Sequence, residues 1–95
     1  MAERAKAVRT AIEDNPRVAI TEWRFAPGAE TGWHRHPLDY VVVYRTAGLM
    51  RVETKDGASP VVIAEGASFF RKAGIEHNVI NTGDAEVVFV ETEIK

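Results

Sequence analysis

The chain contains no cysteine. That excludes a disulfide framework, a thiol nucleophile and a thiolate metal site. It contains no apolar run near the roughly 18 residues that a membrane helix needs. The opening stretch, MAERAKAVRTAIEDNPR, has acidic residues and no apolar core, so it does not read as a secretory signal. The expected setting is the cytoplasm, without membrane contact. Excess positive charge is also missing: the formal net charge is −2, which gives no electrostatic pull towards nucleic acid. There is no Ser-x-Gly nucleophile elbow, no phosphate-binding glycine loop and no basic stripe, so serine hydrolases and nucleotide enzymes gain no support.

What is present is an ordinary globular mixture, 45% hydrophobic and 27% charged, over 95 residues. This length allows one domain. A domain so small buries only roughly 60–65% of the surface of its unfolded chain, so added stability from a metal or a partner subunit is expected. Residues 1–16 read as an N-terminal arm. Ala5, Val8, Ala11 and Ile12 fit a helix face, whereas Val8, Thr10 and Ile12 fit a strand. From residue 17 to 95, short β-rich runs alternate with turn residues. The runs are Val18–Phe25, Tyr40–Tyr44, Met50–Thr54, Val61–Ala64, Ser68–Arg71, His77–Ile80 and Glu86–Ile94. Asp56-Gly57 between two such runs signals a hairpin. Many short strands with such breaks predict an all-β sandwich or barrel.

Tyr40-Val41-Val42-Val43-Tyr44 is apolar on both faces, so both sides of this strand need cover. A second copy of the chain or the N-terminal arm are the two sources. A homodimer is expected, because a small β domain also has open edges to protect.

The three histidines are grouped. His34 and His36 are two apart just before a strand, and residues i and i+2 of an extended segment share a face. His77 opens a later β run and completes a facial set of three if the strands meet. Neutral imidazoles suit Fe(II), Ni, Zn, Cu or Mn, so one divalent ion is the expected cofactor. Imidazole's ordinary pKa near 6.5 predicts that acid displaces the metal between about pH 6.5 and 5.

The spacing around these residues is specific. Gly28 is followed by five residues and then His34-Arg35-His36. Gly66 is followed by five residues, Lys72-Ala73-Gly74, two residues, His77, three residues and Asn81. This resembles the two motifs of the cupin superfamily, cupin 2 type. The first of these motifs ends in a glutamate and a glycine, the second in Pro-x-Gly, His and Asn. The resemblance implies a cupin fold: an RmlC-like jelly roll, also described as a double-stranded β-helix barrel. Lys72 stands where the motif has proline. The motif glutamate falls on Tyr40 or Val41, neither of which is acidic; Asp39 has the opposite parity. The site therefore reads as three histidines without an acid.

Longer phrases, Glu22–His36, Phe70–Asn81 and Val90–Lys95, are similar to a bacterial group of small stand-alone cupins, some associated with β-alanine degradation. The implied function is binding of a small metabolite at a metal, without established catalysis. The alternative is a metal-dependent, Fe(II)-type dioxygenase acting on a chelating anion. No catalytic residue stands out. The pocket-lining candidates are Tyr40, Tyr44, Met50 and Phe70; Phe69 and Phe70 must face opposite ways. Trp23 and Trp33 fit either a ligand pocket or core and interface packing. Arg24, Arg45, Arg51 and Arg71 fit solvated positions, with a substrate carboxylate as the other use.

Overall fold

Alternating side chains and glycine-marked breaks divide the described residues into nine strands. A computed structural model describes residues 4–95. The strands are β1 (Val8–Asp14), β2 (Val18–Phe25), β3 (His34–Arg35), β4 (Asp39–Tyr44), β5 (Gly48–Thr54), β6 (Gly57–Ile63), β7 (Ser68–Arg71), β8 (Glu76–Asn81) and β9 (Val87–Ile94). All named pairings are antiparallel. They form a five-stranded sheet, β1-β2-β9-β4-β7, and a four-stranded sheet, β3-β8-β5-β6. No helix among the described residues is long and apolar enough to cross a membrane.

The two sheets close over one core. Phe25, Met50 and Val87 are fully buried, and the Phe25 and Phe89 rings meet with centroids 5.4 Å apart. Inward and outward residues alternate along β4: Tyr40, Val42 and Tyr44 point in, while Val43 is 40% exposed. Residues 8–14 of the N-terminal arm do not cover the outward face of β4, because they form β1 in the same sheet, separated from β4 by β2 and β9. The strand reading of that arm holds for these residues. Every residue of β1 is exposed, so its pairing with β2 defines it and no buried stripe does. A register shift between Ala11 and Glu13 makes Ile12 the bulged position. Residues 1–3 of the arm lie outside the described residues.

Two turns explain their sequences. β5 and β6 form the expected hairpin, with Thr54 opposite Gly57. Positive φ falls on Gly57 (128°) and not on Asp56, whose N–H instead donates to Thr54 Oγ1 at 3.2 Å. Gly48, at the start of β5, has another reason to be glycine. A Cβ there would lie 2.5 Å from Val87 Cγ2, a fully buried side chain. Gly48→Ala must therefore displace the buried Val87 side chain or the backbone beside it. We expect it to lower stability by about 1–3 kcal/mol, the usual cost of overpacking. Urea unfolding with an unchanged midpoint would contradict this.

The buried Asn81 ties the barrel end together. Its side-chain amide donates to the carbonyls of Phe25 (3.0 Å) and Ala85 (2.9 Å), and its Oδ1 accepts from the Gly83 N–H (3.0 Å). The motif asparagine is thus a structural clasp between the start of the first motif and the end of the second.

Candidate metal centre

His34 lies on β3 directly opposite His77 on β8, so the antiparallel register alone sets these two side by side. His36 follows β3, and its backbone is held on both sides: its N–H donates to Ile75 O at 2.9 Å, and its carbonyl accepts from the Gly74 N–H at 2.8 Å. The three Nε2 atoms converge, with separations of 3.0 Å (His34–His36), 3.1 Å (His36–His77) and 3.1 Å (His77–His34). The three rings meet edge to face, at 66–85°.

This triangle fits a metal ion. Ring nitrogens about 2.0–2.1 Å from a common ion subtend roughly 90–100° at the separations seen, the arrangement of one face of an octahedron. A shared ion would let each Nε2, now at hydrogen-bond distance from the other two, use its lone pair. The tautomer of His34 is set from outside. Its Nδ1 lies 2.8 Å from the Gly32 carbonyl. A carbonyl only accepts, so Nδ1 carries the proton and Nε2 keeps its lone pair free. Gly32, at φ +86°, is itself fixed: its N–H donates to Oδ1 of the buried Asn78 at 3.0 Å. Asn78 follows His77 on β8, and nothing in the sequence marked it as a support for the site.

Burial pushes His36 down to about pKa 4, with a further push from His34. Burial does the same to His77, to about 4, with help from His34, His36 and Arg71. Both are therefore neutral and available as ligands well below neutral pH. Tyr40 stacks on His36, with centroids 3.9 Å apart and planes at 22°. It holds the ring from one of the two positions where the motif glutamate would fall.

Beside the triangle opens a cavity of about 310 Å³. Tyr40, Tyr44 and Met50 line it, together with Trp23, Phe69 and Phe89. Phe70 does not: it points outward and is 53% exposed, while its neighbour Phe69 takes the inward position. The pairing of β7 with β4 decides this, because it places Phe69 opposite the inward Val42 and Phe70 opposite Val41. Of the tryptophans, Trp23 faces the cavity and Trp33 is 56% exposed. Among the arginines, only Arg71 reaches the cavity. Arg24 and Arg45 pair with Glu22, and Arg51 pairs with Glu53. Asp39 turns away from the metal centre, and its Oδ1 accepts from the Ala73 N–H at 2.8 Å.

The structure adds an acid that the sequence reading lacked. Glu91 on β9 is 8% exposed and lines the cavity. Its Oε2 is 4.0 Å from His36 Nε2. Burial pushes its pKa up to about 7, and the charge of Glu93 adds to this; Arg9 and the Trp23 indole N–H pull the other way. That indole N–H is buried and makes no well-aligned hydrogen bond. In Val87-Val88-Phe89-Val90-Glu91 both faces of the strand are apolar, so parity alone could not tell that Glu91 points inward.

Comparison with known proteins gives a consistent placement. The chain is 58% identical to the β-alanine degradation protein BauB of Pseudomonas aeruginosa, over the full length of both. It is similar to the crystal structure of a cupin domain from Bordetella pertussis Tohama I, with a TM-score of 0.97 and 53% identity, covering 100% of this chain and 99% of that one. A protein with a double-stranded β-helix domain from Klebsiella pneumoniae shares the fold at 18% identity and a TM-score of 0.79, covering 99% of this chain and 76% of that one. The family described as "Cupin domain" matches residues 21–93. With nine strands, two motif segments and a converging set of three histidines, the chain belongs to the cupin domain family.

Proposed function

We propose that this cupin holds one divalent ion on His34, His36 and His77 and binds a small chelating anion in the adjoining cavity. The observation that carries this reading is the convergence of three Nε2 atoms within 3.0–3.1 Å of one another at the wall of an otherwise largely apolar cavity. A bound ion would supply Lewis acidity, and three neutral imidazoles do not themselves reduce its double positive charge. Arg71, the one arginine reaching the cavity among the described residues, adds a positive charge at its wall. Tyr40 orients His36, and the apolar lining excludes water around the bound ligand. The 58% identity to a protein named for β-alanine degradation supports a role in that process.

The test is metal analysis of protein purified without a histidine tag, followed by calorimetric titration of the metal-loaded and metal-free forms with oxalate as the probe. One ion per chain and oxalate binding only by the loaded form are expected. Failure to take up zinc, nickel, manganese, copper or iron would sink the reading. Dioxygenation is the second reading, favoured by the room that the cavity leaves beside the histidines. Stoichiometric iron, with oxygen consumed when a chelating anion is added, would establish it.

A homodimer is part of the same proposal. Val43 is 40% exposed and Phe70 53% on the outer face of the five-stranded sheet. Val41 pairs with Phe70 there, and Val43 with Val90, so the patch is continuous up to the edge strand β7. A second copy offers the same apolar surface in self-complementary form. Light scattering at low micromolar concentration should give twice the chain mass of 10.5 kDa. The Phe70→Glu variant should give the single chain mass.

A further inference from the structure

We propose that Glu91 is the carboxylate of this metal centre, supplied by β9 where β4 lacks one, offsetting part of the ion's charge and accepting a hydrogen bond from a protic group held beside it. This rests on the proposed metal site. Position carries the argument. Of the two positions for the motif glutamate, Tyr40 and Val41, Tyr40 is the one that lines the cavity, and it pairs with Glu93 across the β4–β9 ladder. Glu91, two residues on and facing the same way, is the diagonal neighbour of Tyr40. The acid is thus displaced by one strand and still faces the same cavity.

Its surroundings favour either a proton or a nearby cation on the carboxylate. A carboxylate that is 8% exposed in an apolar cavity is costly unless paired. Two arginines stand near: Arg71 at the wall of the same cavity, and Arg9, which shares a smaller pocket with Glu91 and lies over the Trp23 ring, 6.0 Å from its centroid. Among the described residues neither forms an ion pair with Glu91, whereas an ion held by the histidines would stand close to its Oε2, which is 4.0 Å from His36 Nε2. That oxygen stands outside the tight histidine triangle. Its action is therefore on charge and on whatever the ion binds, as a positioning group and not as a fourth member of the triangle.

The experiment compares wild type with Glu91→Gln, Glu91→Leu and Glu91→Asp, each purified metal-free. Zn²⁺ affinity is measured by chelator competition, and circular dichroism reports the fold. The Co²⁺ forms are compared by absorption spectroscopy. Removing an outer carboxylate of a metal site typically weakens affinity by about 10–100-fold. That loss is expected for Gln and Leu with the fold retained, together with a changed Co²⁺ spectrum; Asp, which keeps the charge, should recover part of the affinity. Leu matches the apolar lining and folds even if Gln does not. Wild-type affinity and spectrum in either folded variant would overturn the proposal while leaving the three-histidine site standing. Absence of metal binding in the wild type would overturn both.

Discussion

His77→Ala is expected to lose the proposed metal and keep its barrel. The Nε2 of His77 closes the triangle with His34 and His36 at 3.1 Å on each side. With alanine there, two ligands remain, and the loss should exceed the 10–100-fold typical of outer-shell changes. Occupancy in dilute metal should fall from one ion per chain to less than about a tenth. The fold does not depend on this side chain: residue 77 pairs with residue 34 through backbone atoms, and the buried Val79 and Ile80 anchor β8. Stability tells the same story through mass action. With free metal at 100 times its dissociation constant, binding adds about 2.7 kcal/mol, worth roughly 10–20 °C of melting temperature in a domain of this size. Chelator should remove that increment from the wild type and change nothing in His77→Ala. Full occupancy in a folded His77→Ala protein would refute the assignment. His34→Ala and His36→Ala are expected to behave alike.

Metal release on acidification should come later than imidazole's ordinary pKa suggests. Free imidazole predicts loss between about pH 6.5 and 5. The structure moves this window, because burial holds His36 and His77 neutral down to about 4 even without metal. The sign follows from proton counts. Between about pH 4 and 6.5 the unfolded chain binds protons at these two positions and the folded chain does not. Folded-state stability therefore rises with pH through that window and is lost as pH falls towards 4. Metal binding adds to the same preference, since it too requires neutral rings. Glu91 opposes it: raised to about 7, it binds a proton in the metal-free fold at pH values where the unfolded chain has released one. Its contribution weakens the metal-free fold as pH rises from about 4.5 to 7. Two histidines against one carboxylate leave the histidines dominant on the acid side. A chelating dye should report metal retained at pH 5.5 and released near about pH 4–4.5, with circular dichroism changing in the same range. Release centred near pH 6, with the His36 and His77 resonances titrating there, would overturn this.

The fold was legible because its punctuation is local. Asp56-Gly57 marks one hairpin, and Gly28 and Gly66 open the two motif segments. Val18–Phe25 and Ser68–Arg71 are strands with the bounds that their runs gave. The site was legible for the histidines, because two-residue spacing in an extended segment fixes a shared face. What stayed hidden depends on pairing across the barrel. Phe69 and Phe70 could be ordered only by knowing which of them faces Val42. Glu91 sits in a strand apolar on both faces, where periodicity carries no direction. Gly48 is explained by Val87, 39 positions away along the chain, and Asn78 by its grip on Gly32. The arm at residues 8–14 offered both periods because its side chains are all exposed; its strand form comes from its neighbour.

The backbone bonds that hold His36 between Gly74 and Ile75, with the ladder joining residues 34 and 77 and the carbonyl that orients the His34 ring, hold the donors in position independently of any ion. Metallation of the proposed site would then need no refolding step. Uptake would be expected at the rate at which an ion sheds water and enters, and one ion should exchange for another while the barrel stays closed. A scaffold of this kind discriminates poorly by shape alone, since the same three nitrogens accept several transition metals. The resident ion will follow the free concentrations around the protein weighted by the intrinsic affinity series, so protein produced in cells grown on different metal supplies should carry different metals in the same unaltered fold.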